Sequence, residues 1–218
     1  MTWERARSEE QKEQRIAGII EATARLYETR SFEEITFVLI AKEAQFTRSN
    51  LYKYFNSKEE IFLEFLRHDI VRWRKDVVEN IKPDMMCSVK DFSAAWVGLQ
   101  RKHERFVKLL SILHNVIEKN VTIEKLTEFK RGAKEELFIL AEVLCSIFPA
   151  MTIEKAARFL QLQLAAAVGL FQMTDLSETQ QQILDNPEFS VLKIDFAAAF
   201  QETVEHLLSG IQGRYGRK

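Results

Sequence analysis

Residues 47–62, TRSNLYKYFNSKEEIF, decide how this 218-residue chain folds. Thr47 can accept from the first free backbone N–H groups of a helix, and Ser57 followed three residues later by Glu60 is an S-x-x-E capping box that starts another. Two helix starts so close together leave room only for a short helix and a tight connection. On that helix Leu51 and Phe55 fall four apart and point inward, which leaves Arg48, Ser49, Asn50, Tyr52, Lys53 and Tyr54 for solvent or a partner. Cations, small polar groups and two tyrosines suit phosphates and base edges.

Upstream, Thr36 can cap a further short helix in which Ile40, Ala41 and Ala44 are apolar at helical spacing, and Gln45 with Phe46 forms the turn into Thr47. Helix, turn, helix is the arrangement whose second helix enters the major groove of DNA. A longer helix from about Glu10 to Thr29 carries a stripe of Ile16, Ile19, Ile20, Ala24 and Tyr27, with Phe32 and Ile35 covering the base of this unit. From Lys58 a long helix runs to the break at Pro83. Beyond it the spacing predicts helices near 88–101, 104–119, 122–148, 152–174 and 190–210, with a short turn around 177–184. Only 7 Gly and 3 Pro interrupt the chain, so the fold class is all-α.

Residues 10–66 resemble the N-terminal domain of the TetR (tetracycline-repressor) family of bacterial transcription regulators. The matching pieces are RIAGIIEATARLYETRSFEEIT, IAKEA and LYKYFNSKEEIF. The L-Y-x-x-F-x-x-K-E-E core fixes an aromatic pair, a cap and a lysine at set offsets within a long amphipathic context. The resemblance implies a DNA-binding domain over 1–57, a linking helix over 58–82 and a helical ligand-binding and dimerisation domain over 83–218. One departure stands out: the family usually has Gly then Val at the turn, where this chain has Gln45 and Phe46. Glycine accepts φ > 0 without cost, so Gln45 must either take a left-handed conformation or shift the turn.

The resemblance further implies that Thr47, Arg48, Ser49, Tyr52, Lys53 and Tyr54 face the groove, while Thr36 and Lys58 meet phosphates at helix N-termini. Arg48 suits bidentate contact with guanine or a phosphate clamp. Tyr52 either stands free or packs its ring and extends its hydroxyl, and Lys58 could instead pair with a nearby Glu. In this family the last two long helices of each subunit form a four-helix bundle across a two-fold axis. Phe159, Leu162, Ala166 and Gly169, then Phe196, Phe200, Val204 and Leu207, stand in that place. The same residues could serve an intrachain core.

Family members usually enclose an inducer pocket in the C-terminal part. Trp96, His103, Phe106, His114, Phe138 and Gln163 are the candidates, since a polar group on an apolar helix face needs a partner; rings at helical spacing also serve as plain core.

Composition narrows the classes. The net charge is −1, yet residues 41–58 hold Lys42, Arg48, Lys53 and Lys58 against Glu43 alone, a local +3. The chain lacks an apolar run of about 18 residues, and MTWERARSEEQKEQR lacks a signal peptide's apolar stretch, so a cytoplasmic protein is expected. Cys87 and Cys145 are too few and too far apart to define a metal site, and a reducing compartment argues against a disulfide. Nucleophile-elbow, P-loop, zincin and dinucleotide-glycine motifs are absent and the four His are scattered, so neither catalysis nor a cofactor is expected. The expected function is a homodimeric, ligand-responsive regulator, a repressor released from a near-palindromic operator by a small hydrophobic molecule. The alternative is a helical dimeric protein-interaction module with degenerate DNA recognition, and an activator would carry the same motifs.

Overall fold

The computed structural model describes residues 2–85 and 88–213, and side chains over 10–85 and 88–211; Cys87 lies outside the described residues. All regular structure among them is helical. The chain divides into two compact units, Met1–His68 with Ile112–Lys130, and Asp69–Ser111 with Arg131–Lys218.

The first unit contains α1 (Thr2–Tyr27), α2 (Phe37–Glu43), α3 (Arg48–Leu51) and the first turns of α4 (Lys58–Asn80). α1 buries Ile19, Ile20, Ala22, Thr23 and Tyr27, while Ile16 and Ala24 stay half-buried. Thr23 is accommodated because its hydroxyl donates to the Ile19 carbonyl at 2.8 Å. An aromatic knot ties the unit together: the Phe62 ring meets Phe32 at 4.8 Å and Tyr27 at 5.4 Å, both edge-on. Burying each such ring contributes roughly 1.5–3 kcal/mol.

The expected helix over 104–119 is interrupted. The α-helix α6 (Glu104–Ile112) gives way to a π-type turn over Leu113–Ile117 and a 3-10 turn over Glu118–Asn120 before α7 (Ile123–Ile147). No glycine or proline announces this break. The wider turn still buries both Leu113 and Ile117, and the Asn120 amide donates to the Val116 carbonyl at 2.8 Å where the ladder ends. This stretch and the start of α7 belong to the first unit, where Phe129 shares a small cleft with Phe55 and Leu63.

The second unit contains the rest of α4, then α5 (Val89–Lys102), most of α6, the rest of α7, α8 (Ile153–Thr174), α9 (Glu178–Leu184) and α10 (Phe196–Gly213). Its core is aromatic. Trp96 stacks on Phe92 at 5.2 Å and takes the edge of Trp73 at 5.5 Å, and Trp73 lies 5.2 Å from Phe106. α10 packs on α8 and α5. It begins at Phe196 rather than near 190, because Asp195 caps it by accepting from the Ala198 N–H at 2.7 Å. The preceding residues Pro187–Leu192 form a 3-10 turn, with Asn186 accepting from the Glu188 N–H at 3.0 Å.

Candidate functional site

The two caps that define the reading element form as expected: Thr36 accepts from the Leu39 N–H and Thr47 from the Asn50 N–H, each at 3.2 Å. At α4 the capping box forms in part. Ser57 accepts from the Glu60 N–H at 3.2 Å, but the Glu60 carboxylate reaches one residue further back, accepting from the Asn56 N–H at 2.8 Å. Glu60 is buried, so the extra bonds from the Asn56 side-chain amide keep its charge solvated by the protein.

Gln45 resolves the turn by taking the left-handed conformation, with φ of 60°. The turn keeps its course: the Gln45 N–H donates to Lys42 O at 3.1 Å and the Phe46 N–H to Ala41 O at 2.8 Å. The Phe46 ring finds an edge-on neighbour in Tyr54 at 6.1 Å.

Arg48, Ser49, Tyr52 and Lys53 are exposed together on this element, as are Thr36 and Thr47. Two of the side chains are held in place by partners that their spacing in sequence does not announce. Tyr52 stacks at 4.6 Å on Phe37, the first residue of α2, and its hydroxyl accepts from Arg48 Nη2 at 3.1 Å. Tyr52 therefore packs one face of its ring and still leaves 45% of its surface open. Tyr54 is half-buried, and its hydroxyl accepts from Arg15 Nη1 of α1 at 3.0 Å. Phe37 and Arg15 thus brace Tyr52 and Tyr54; only the tertiary fold brings them there.

Lys58 is turned inward. Its ammonium donates to the Phe32 and Ile35 carbonyls at 2.7 and 3.0 Å and sits 4.0 Å from the centre of the Phe32 ring. Two of its three donors close the α1–α2 connection, and one remains.

The proposed effector residues do not converge. His114 belongs to the first unit, with its side chain 72% exposed and paired with Glu118 at 3.1 Å. Phe138 is largely exposed beneath Lys134. Trp96 and Gln163 satisfy each other, since the indole Nε1–H donates to Gln163 Oε1 at 3.2 Å and the Gln163 amide donates to Leu160 O. Phe106 is core. His103 borders a surface cavity with Asp76, whose carboxyl is held below its ordinary pKa by hydrogen bonds from Lys102 and then His103.

The proposed dimer residues divide as well. Phe159, Phe200 and Val204 have no accessible surface within a single chain, so they cannot be buried by a second copy. Leu162 and its neighbours Ala165, Ala166 and Gly169 keep accessible surface, as do Phe196 and Leu207 and, beyond them on α8, Met173.

Among the described residues no group of His, Cys, Asp and Glu could hold a metal ion, and no helix is long and apolar enough to cross a membrane. Burial, then Glu154 and Glu142, raise the Cys145 thiol above its ordinary pKa, which favours the thiol over the thiolate.

The N-terminal unit is thus a helix-turn-helix reader, and a helical domain of a different kind follows it. The family model described as "Bacterial regulatory proteins, tetR family" matches residues 19–65, and "Tetracyclin repressor-like, C-terminal domain" matches residues 67–215. The chain belongs to the TetR family of transcription regulators, with a helix-turn-helix DNA-binding domain and a C-terminal domain of the tetracycline-repressor type.

Solved structures agree on the fold. The transcriptional regulator FadR from Bacillus subtilis, in complex with stearoyl-CoA, is 18% identical with a TM-score of 0.58, covering 89% of this chain and 98% of that one. The fatty acid degradation regulator FadR from Bacillus halodurans is 19% identical with a TM-score of 0.53, covering 88% and 93%. No curated protein sequence matches the chain.

Proposed function

We propose that the protein is a homodimeric, cytoplasmic repressor that binds a near-palindromic operator and leaves it when a small hydrophobic molecule enters the C-terminal unit, without catalysis or a bound cofactor. The observation that carries the reading is the exposed, pre-arranged set of Arg48, Ser49, Tyr52 and Lys53 at the start of the second helix of the helix-turn-helix. Arg48 reads a guanine edge from its fixed position on Tyr52, Lys53 and the Thr47 and Thr36 helix starts meet phosphates, and Tyr54 braces the element. Lys58 contributes its one remaining donor to a phosphate and otherwise holds α4 in register.

A dimer is favoured by the accessible small-residue face of α8 around Leu162, Ala166 and Gly169, extended by Phe196 and Leu207 of the α10 region. Two readers one helical turn apart also supply what a single +3 patch lacks at cellular salt. Because Gln45 keeps the turn on course, no observation favours a protein-interaction module that has lost DNA recognition. Operator and effector are thermodynamically opposed: whatever factor the effector takes from operator affinity, operator takes from effector affinity.

The test is a titration of the dimer against its own upstream intergenic DNA and a scrambled duplex, with salt varied. Preference for the upstream duplex, a steep salt dependence, and a slope lowered by about 1 in Lys53→Ala support the reading. Equal affinity for both duplexes, unchanged by Lys53→Ala, refutes it. Stearoyl-CoA belongs in the effector panel because a structural neighbour carries it.

A further inference from the structure

One cavity of the second unit opens where the end of α5, the start of α6, the end of α8 and the start of α10 come together, and its volume is about 280 Å³. Its inner wall holds Val107, Phe171 and Gln100, all buried, and Phe196 lies half-buried along one side. Gln100 is 1% exposed, and neither its Nε2 nor its Oε1 has a hydrogen-bond partner among the described residues. A buried amide with both its donor and its acceptor unmet is costly, and native chains keep such groups for a reason. Its terminal torsions can turn the amide toward the space that the side chain already borders. In a cavity of similar size lined by residues of α4–α6, Arg105 is bonded to Asp69, and Asp76 to His103 and Lys102.

The mouth of the Gln100 cavity is formed by the exposed Arg101, Glu104 and Asp175, one cation against two carboxylates. That balance disfavours an anion and accepts a neutral or singly positive group. The volume lies at the bottom of the range for small-molecule pockets, roughly 300–1,000 Å³, which suits a single ring and excludes a long acyl chain with a nucleotide head.

We propose that this cavity is a binding site for a one-ring primary amide, neutral or monocationic, with Gln100 as its polar anchor. The ligand amide pairs head to head with the Gln100 amide, giving one N–H to Oε1 and accepting one from Nε2. The ring lies against Val107, Phe171 and Phe196, and a positive substituent reaches Glu104 and Asp175. This rests on the C-terminal unit being the ligand-binding half, and it names the cavity and the ligand class within that reading.

The probes are benzamide, 4-(aminomethyl)benzamide, benzoate and toluene, titrated against the full-length protein by calorimetry and ligand-observed NMR. Both amides should bind more tightly than toluene, the cationic amide most tightly, and benzoate least. Gln100→Leu should weaken both amides by about tenfold or more while leaving toluene unchanged. Ligand-free Gln100→Leu should melt no lower than the parent chain, because an unmet amide has been replaced by an apolar group of similar size. The exposed pair Glu104→Gln and Asp175→Asn tests the mouth without touching the core, and should remove the advantage of the cationic amide.

Equal affinity for amides and toluene, unchanged amide affinity in Gln100→Leu, or no amide binding at millimolar concentration overturns the proposal, the last outcome marking an amide satisfied by water alone. The operator titration separates this from the regulatory reading. Amide binding at Gln100 with no loss of operator affinity upholds the site and refutes its role as the effector site. Operator release by another molecule, with no amide binding to the parent chain, upholds the regulator and overturns the site.

Discussion

Gln45→Gly should make this protein more stable. The backbone at Gln45 sits at φ of 60°, where a side chain's Cβ crowds the following carbonyl at a cost of roughly 1–2 kcal/mol. The Gln45 side chain is exposed and makes no hydrogen bond among the described residues, so removing it forfeits nothing that would offset the relief. Glycine brings a cost of its own, because the unfolded chain gains freedom worth about 0.4–1 kcal/mol. The balance is a gain of about 0.5–1 kcal/mol, or roughly 1–4 °C in melting temperature for a chain of this size.

Urea and thermal unfolding measure this directly, with two controls. Gln45→Ala keeps the left-handed residue and removes only the exposed side chain, so its stability should stay within about 0.5 kcal/mol of the parent. Gln45→Val adds β-branching at positive φ and should lower stability. If Gln45→Gly were no more stable than Gln45→Ala, the left-handed strain assigned to this turn would be wrong. Operator affinity should be the same in parent and glycine variants, since the hydrogen bonds from Gln45 and Phe46 already set the course of the turn.

Lys58→Met should cost about 2 kcal/mol by urea unfolding, because it removes the charged donor from the Phe32 and Ile35 carbonyls while keeping the stem over the Phe32 ring; a change within 0.5 kcal/mol, the range for an ordinary surface residue, would contradict the inward role of this lysine. Burial opposes ionisation of Glu64, but hydrogen bonds from His68 and Arg67 outweigh it and lower its pKa from 4.5 to about 2. A depressed carboxylate stabilises the fold fully above its unfolded pKa, so this contribution, at most about 3 kcal/mol, is lost as pH falls from about 4.5 toward 2. Stability measured against pH should therefore fall less steeply through that window in Glu64→Gln, and an unchanged slope would refute the assignment. Phe37→Leu should weaken operator binding about fivefold by freeing Tyr52 and with it Arg48, an effect of about 1 kcal/mol as for an aromatic pair. Combined with Tyr52→Ala it should add little further loss, and full additivity in that double-mutant cycle would show that Phe37 acts by another route.

Local sequence decides the structure where a single short-range interaction sets it. Thr36, Thr47 and Ser57 start their helices because each hydroxyl needs only a donor three residues ahead, and the Leu51–Phe55 pair buries because four residues is one helical turn. Sequence is a weaker guide where competing local solutions differ by little. The stretch 104–119 has helical spacing throughout, yet the π-type turn at Leu113–Ile117 gives a second way to bury the same apolar positions, and the sequence has no residue that forbids either. The start of α10 moved from about 190 to 196 because Asp195 outcompetes the earlier residues as a cap, and Val191 and Leu192 consequently stay exposed.

The binding residues show the same division at longer range. A cation, a hydroxyl or a ring can be assigned to a helix face from spacing alone, so Arg48, Tyr52 and Lys53 were legible. What fixes them was not: Arg15 reaches Tyr54 from 39 residues away, and the Phe37 ring under Tyr52 comes from a different helix. In the second unit the polar residues most conspicuous in the sequence, Trp96 with Gln163 and His103 with Asp76, proved to satisfy one another, because a buried polar group is compatible with a core once a partner from another helix meets it. Gln100 looked unremarkable beside them, one amide near the end of a helix with a clear apolar stripe. Yet its buried amide has neither donor nor acceptor met among the described residues, while the hydrogen bonds of Trp96, Gln163 and His103 are made within the unit. That makes it a better guide to an external partner than polarity or aromatic content, since a site built for a ligand must leave something for the ligand to complete.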